Sequence, residues 1–267
     1  MSEPELVVVP DPATGATRAA TLIADALRDA AAERGRADWA TTGGSTIVAI
    51  YQGLLGSEVR DGLAWDRIHT WWGDDRFVPS DHPLSNAKPF DDILLRAGDW
   101  ESVHSDDPRA EIHIPAANVH PFRTGESIGI GEDAEECARD LAAELRGANL
   151  PEQDGWPVFD LVLLGMGGDG HILSVFPGSA ALDARAWAVA IPAPTHIEPH
   201  VRRVTLNPAI VGVARRVIVV VNGASKAEVL GKVLHDPIDP QRWPAQLARR
   251  EGATWIVDEA AAANLPR

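Results

Sequence analysis

Residues 159–171 read Phe-Asp-Leu-Val-Leu-Leu-Gly-Met-Gly-Gly-Asp-Gly-His. Phe159–Leu164 is of strand length and apolar but for Asp160, with Leu161–Leu164 unbroken, the pattern of a buried strand. Four glycines fill the next six residues, a loop permissive enough for close backbone approach to a ligand or for positive φ. His171 closes the loop at the expected start of a helix. A histidine titrates near enough to neutrality to act as base and then as acid. Asp169, two residues earlier, is placed to orient the imidazole or stabilise its cation. The competing reading, a histidine that caps the helix or bonds backbone, is outweighed by the glycines around it.

The same strand, loop and helix alternation extends outward from this stretch. Leu6–Val9, Asp38–Thr42, Arg67–Trp72, Trp187–Ile191, Arg203–Leu206, Val217–Val221 and Thr254–Val257 read as strands. Arg18–Glu33, Ile47–Leu55, Phe90–Leu95, Glu132–Arg146, Ser225–Leu234 and Glu259–Asn264 read as helices, with Gly35 as a stop for the first. Continuous apolar strands between helices predict an α/β fold, a mostly parallel sheet with helices on both faces. With no long linker and no fixed-period repeat, residues 1–267 are expected to form a single domain. Residues 98–118 break every period and are expected to run over the surface without an assigned function.

Composition bounds the partners. The chain has 267 residues, 24 Lys+Arg and 39 Asp+Glu, a formal charge of −15. That charge argues against a broad nucleic-acid or acidic-membrane surface, both of which need a positive face. An anionic small molecule is still compatible, because a few local cations and backbone N–H groups can hold a phosphate. Cys137 is the lone cysteine, so an intrachain disulfide and a cysteine-built zinc site are excluded. His196 and His200 are four apart, but Pro194 and Pro199 argue against one helical metal-binding face. The opening Met1–Glu5 has neither the basic start nor the apolar run of a signal or membrane segment, so a cytoplasmic protein is expected.

In parallel α/β sheets, ligands bind at the carboxyl ends of the strands, and three more loops there are unusual. Thr41-Thr42-Gly43-Gly44-Ser45-Thr46 opens a helix. Its glycines and exposed N–H groups favour an anion, with Ser45 or Thr46 as the expected cap. It lacks a Walker lysine. Trp72-Gly73-Asp74-Asp75-Arg76 follows a strand. Arg76 offers a planar fork for phosphate or carboxylate, and Asp74 could accept from substrate hydroxyls. Asn222-Gly223-Ala224-Ser225-Lys226 places one of the chain's three lysines in the first turn of a helix, where a cation opposes the dipole and a bound anion would compensate. The four loops together describe an enzyme acting on a small phosphorylated, hydroxyl-rich substrate by histidine acid/base chemistry.

The stretches TTGGST (41–46), WWGDDRFVPSDHPLSN (71–86), FDLVLLGMGGDGHILSVFPGS (159–179), RVTLN (203–207) and NGASKAEVL (222–230) resemble, in order and over most of the chain, the 6-phosphogluconolactonases. These belong to the superfamily that also holds glucosamine-6-phosphate isomerase/deaminase. Ser174-Val175-Phe176-Pro177-Gly178 is similar to the lactonase pattern rather than to the deaminase branch. The resemblance implies a Rossmann-like fold, no required cofactor, and hydrolysis of a phosphorylated sugar lactone. It implies His171 as the base, Asp169 as its partner, Arg76, Lys226, Gly44 and Ser45 around the phosphate, Asp74 on the substrate, and Arg203 as a further pocket residue. The chain departs from the family pattern at Ile47, Asp75 and Ile172-Leu173. The alternatives are a sugar-phosphate isomerase or deaminase and a non-catalytic sugar-phosphate sensor.

Overall fold

The computed structural model describes residues 3–95 and 112–266. Its centre is a seven-stranded sheet in the order β1 (Glu5–Val9), β12 (Ala253–Asp258), β11 (Arg216–Val221), β8 (Leu161–Gly165), β2 (Ala37–Thr41), β3 (Ile68–Trp72) and β5 (Val119–His120), all pairs parallel. Helices α1 (Pro12–Arg34), α2 (Ser45–Leu54), α3 (Ser57–Asp61), α4 (Lys88–Phe90), α5 (Thr124–Ile130), α6 (Ala134–Gly147), α7 (Ala209–Val213) and α8 (Ala227–His235) cover both sides. All five residues of β2 are buried, as are all of β11 after Arg216. β11 therefore carries apolar residues continuously from Val217 to Val221, whereas β2 buries Asp38 and Thr41 among its apolar residues.

Helix boundaries follow local chemistry. Asp11 caps α1 by accepting from the Thr14 N–H at 2.8 Å, Pro12 opens it, and Gly35 ends it in the left-handed region at φ 75°. Asp133 and Glu136 form a reciprocal capping box at the start of α6.

The order of the strands reveals where a ligand belongs. From β2 the chain winds outward through β3 and β5. It then returns to β8 on the other side of β2 and winds the opposite way through β11 and β12. The reversal lies between β2 and β8, and the crevice at the carboxyl ends of two such strands is the binding position of open α/β sheets.

A second, three-stranded antiparallel sheet joins β4 (Asp74–Arg76), β10 (Arg203–Leu206) and β9 (Ala188–Ile191). Asp74–Arg76 is thus a strand, not the loop expected, and 187–191 and 203–206 pair outside the parallel sheet. The chain crosses from one sheet to the other at Gly73. Its N–H donates to the Thr41 carbonyl at 2.8 Å, and its carbonyl accepts from Leu206 at 2.8 Å. A Cβ at Gly73 would lie 2.6 Å from Cδ2 of Leu173. The hairpin β6 (Glu152–Gln153) with β7 (Trp156–Pro157) completes the strands.

Toward the amino ends of β2 and β3, Asp38 accepts from Nε and Nη2 of Arg36 and from the Trp71 indole. His69 Nδ1 lies 3.0 Å from His120 Nε2, and His120 Nδ1 lies 2.5 Å from Glu144. Burial, and then the Arg36 charge, push His69 down to about 4.

Other expectations are adjusted. The helix at 90–95 is one α-turn followed by a π-turn over Asp91–Leu95, and that at 259–264 is a 3-10 turn over Ala261–Asn264. Of the segment 98–118, residues 98–111 lie outside the described residues. The remainder is not a surface excursion, since Ile112 and Ile114 are buried in the core. Among the described residues no helix is long and apolar enough to cross a membrane.

Candidate active site

A cavity of about 250 Å³ opens at the β2/β8 reversal. Its wall includes Gly44, Ser45, Asp74, Arg76, His171, Arg203 and Lys226. Seven of the eight residues singled out in the sequence are therefore in one place. The eighth, Asp169, stands behind His171.

The glycine loop positions the histidine. His171 follows Gly170, whose φ of +80° turns the chain, and residues 172–175 form a tight turn bridged between Ile172 and Val175, not a helix. Nδ1 of His171 lies 2.6 Å from Oδ1 of Asp169. A Cβ on Gly167 would stand 2.0 Å from that same nitrogen, so a glycine there is what lets the ring fold back onto the carboxylate. Burial opposes ionisation of Asp169, but hydrogen bonds from His171 and His196 and the His171 charge outweigh it. The carboxyl is held far below its usual range. An ionised Asp169 keeps a proton on Nδ1 and leaves Nε2 as the nitrogen for proton transfer. Leu173, at a positive φ of 53°, is a strained non-glycine residue in the cavity wall.

The anion side is built by three elements. Gly44, φ 94°, stands at the cap position before α2, which has no side-chain cap. Ser45 and Thr46 are therefore not the caps expected; the first N–H groups of the helix are left to the cavity, the arrangement that favours an anion. From the small sheet, Arg76 and Arg203 project into the same wall. Nη1 of Arg76 donates to the Leu84 carbonyl and to Oδ1 of Asn86, both at 2.8 Å, while Arg203 bonds the Pro199 carbonyl and lies over the Phe176 ring at 5.3 Å. The Nε atoms of both arginines are buried without a partner. Burial lowers Arg203 from its ordinary value, and it lowers Lys226 against the opposing attraction of Asp169. Lys226 Nζ lies beside Gly168, at the 3-10 turn that leads into α8. Half-buried and buried cations whose buried Nε donors are unused are the counterpart of a bound anion.

Asp74 lines the cavity but is itself almost fully engaged. Oδ2 accepts from Ser174 at 2.5 Å and Oδ1 from Asn86 at 3.3 Å, which ties the histidine loop to β4. Asp75 points the other way. It accepts from Ser85, from the Asn86 N–H and from the Arg76 N–H, folding residues 79–86 back under the arginine. Burial pushes its carboxyl up to about 7.

Two residues at this site escape a reading by motif. Asn86 uses its whole inventory: its N–H on Asp75, its amide on Asp74, its carbonyl under the Trp72 indole and its side-chain oxygen on Arg76. Gly43 leaves room for it, since a Cβ there would stand 1.8 Å from Asn86 Oδ1. His196, considered in the sequence as a metal ligand, is instead 2.8 Å from Oδ2 of Asp169. Among the described residues no group of three or more His, Cys, Asp or Glu side chains is arranged to hold a metal ion.

Comparison with known proteins places the chain in a family. The family model described as glucosamine-6-phosphate isomerases/6-phosphogluconolactonase matches residues 10–256. The chain is 33% identical over 249 residues to a 6-phosphogluconolactonase of Synechocystis, covering 93% of this chain and 92% of the relative. It is 33% identical over 265 residues to one of Streptomyces coelicolor, covering 99% and 95%. Among solved structures, the 6-phosphogluconolactonase of Trypanosoma brucei superposes with a TM-score of 0.81 at 28% identity, covering 100% of both chains. The chain therefore belongs to the family of glucosamine-6-phosphate isomerases and 6-phosphogluconolactonases.

Proposed function

We propose that this chain hydrolyses 6-phospho-D-glucono-1,5-lactone to 6-phosphogluconate, the second step of the oxidative pentose phosphate pathway, with residues 1–267 acting as one domain. The observation that carries the reading is the His171–Asp169 pair set at the strand reversal, in a cavity shared with Arg76, Arg203 and Lys226. The two near-full-length relatives cited above both bear the lactonase name.

Nε2 of His171 takes a proton from water as the water oxygen bonds to the lactone carbonyl carbon. The carbonyl oxygen takes up the negative charge, and cations in the cavity favour that charge over the neutral ground state. The bond to the ring oxygen then breaks, and the imidazolium returns its proton to that departing oxygen. Asp169 stabilises the imidazolium between the two steps. Arg76, Arg203, Lys226 and the uncapped start of α2 at Gly44 and Ser45 hold the phosphate, and Asp74 faces the sugar hydroxyls. None of these groups needs a cofactor.

The test is acid release from the phospholactone above the no-enzyme rate, for the wild type and His171→Ala. Turnover that is lost in the variant while the fold is kept supports the reading. Wild-type turnover no faster than the spontaneous rate, or ammonia release from glucosamine 6-phosphate, overturns it.

A further inference from the structure

The carboxylate of Asp169 carries two histidines. Oδ1 lies 2.6 Å from Nδ1 of His171 and accepts that residue's backbone N–H at 3.2 Å, while Oδ2 lies 2.8 Å from Nε2 of His196. His171 is in the cavity wall. His196 is not; it sits on the 192–202 connection between β9 and β10, with its side chain half exposed. Phe176 stands between the two rings, tilted against His171 at 4.7 Å and edge-on to His196 at 5.6 Å. The guanidinium of Arg203 lies over that same phenyl ring. One aromatic ring thus sets the orientation of both imidazoles.

A carboxylate held through one oxygen can pivot about its Cβ–Cγ bond. Asp169 lies among Gly167, Gly168 and Gly170, which give it no side-chain bracing. Lys226 and Arg203 act on Asp169 through charge, and neither donates to it. The second oxygen is held by His196.

We propose that His196 is a positioning residue: by donating from Nε2 to Oδ2 it fixes the plane of the Asp169 carboxylate, so that Oδ1 stays on Nδ1 of His171. The kinetic consequence rests on the lactonase reading; the geometric one does not. His196→Ala should lower kcat roughly ten- to a hundredfold, the scale of a small misplacement of a catalytic group, and leave KM within about a factor of two. His196→Gln, whose amide can donate from the same place, should restore most of kcat. Independently of turnover, proton NMR should show the hydrogen-bonded ring N–H of His171, assigned by its loss in His171→Ala. In His196→Ala that signal should shift and exchange faster with water, and in His196→Gln it should not. An unchanged kcat and an unmoved signal in His196→Ala overturn the proposal, as does a Gln variant as impaired as the Ala variant. If the wild type does not open the lactone, the proposed activity fails, and the NMR comparison still decides the role of His196.

Discussion

Arg76 and Arg203 stand directly opposite each other in the antiparallel register of β4 and β10. Like charges in that relation are destabilising, and here both Nε atoms are also buried without partners. An anion between or beside them relieves both costs. Inorganic phosphate is therefore expected to raise the thermal midpoint, by a stabilisation of about 2.7 kcal/mol at 100 times its Kd. Arg76→Met should weaken phospholactone binding by about 1.5–3 kcal/mol, the worth of a charged hydrogen bond, with little effect on an unphosphorylated lactone. Equal losses on both lactones would refute phosphate reading by this pair.

His171→Ala should cost on the order of 10²–10⁴ in kcat, the usual contribution of a general base. The side chain is at a cavity wall and not in the core, so the far-ultraviolet spectrum and midpoint should stay close to wild type. Steady-state lactone kinetics with the spontaneous rate subtracted is the check.

Gly167→Ala and Gly43→Ala should fail differently. The first puts a methyl 2.0 Å from Nδ1 of His171 and should act on kcat. The second puts one 1.8 Å from Oδ1 of Asn86, the anchor of Arg76, and should act on KM. Measuring kcat and KM separately for each variant distinguishes the two effects.

Asp75 gives a pH prediction with an unusual sign. Burial raises its carboxyl from 3.8 to about 7. Between those values the folded chain holds a proton that the unfolded chain has released, so this group's contribution to stability falls as pH rises. Asp75→Asn should therefore stabilise the protein at pH 8 by a few kcal/mol relative to its effect at pH 4. Denaturant unfolding of both chains at the two pH values measures the difference. A variant equally destabilised at both pH values would show that Asp75 is charged in the fold.

His69 should act in the opposite direction. Its proton affinity falls on folding, to about 4. The unfolded chain therefore gains a proton first as pH drops below about 6.5, and stability is lost between there and 4. His69→Gln should flatten that limb of the stability profile.

Much of this molecule is written locally. The β-branched run at 217–221 and the glycine loop after Leu164 depend on neighbours a few residues away, and they read directly as a strand and as a candidate site; the Asp11 and Asp133 caps are equally local, yet apolar spacing alone starts the first helix at Arg18 rather than at Pro12. What did not read is set by contacts distant in sequence. Asp74–Arg76 becomes a strand because β10 arrives 127 residues later. Ser174 reaches Asp74 across 100 residues, and His196 meets Asp169 across 27. The tight turn after His171 reads as a helix start because its apolar residues suit either; Leu173 at positive φ decides it.

Gly73 imposes a parity on the chain. It is the single residue between β3 and β4, and successive side chains of a strand face opposite ways. Asp74 and Arg76 share the cavity face and Asp75 takes the other. Lengthening or shortening this junction by one residue would turn Asp75 into the cavity and both Asp74 and Arg76 away from it, leaving one cation fewer beside Arg203. Insertions of odd length at Gly73 should thus weaken phosphate binding while leaving the seven-stranded sheet intact, so the length of this junction bears on the site as directly as the residues that line it.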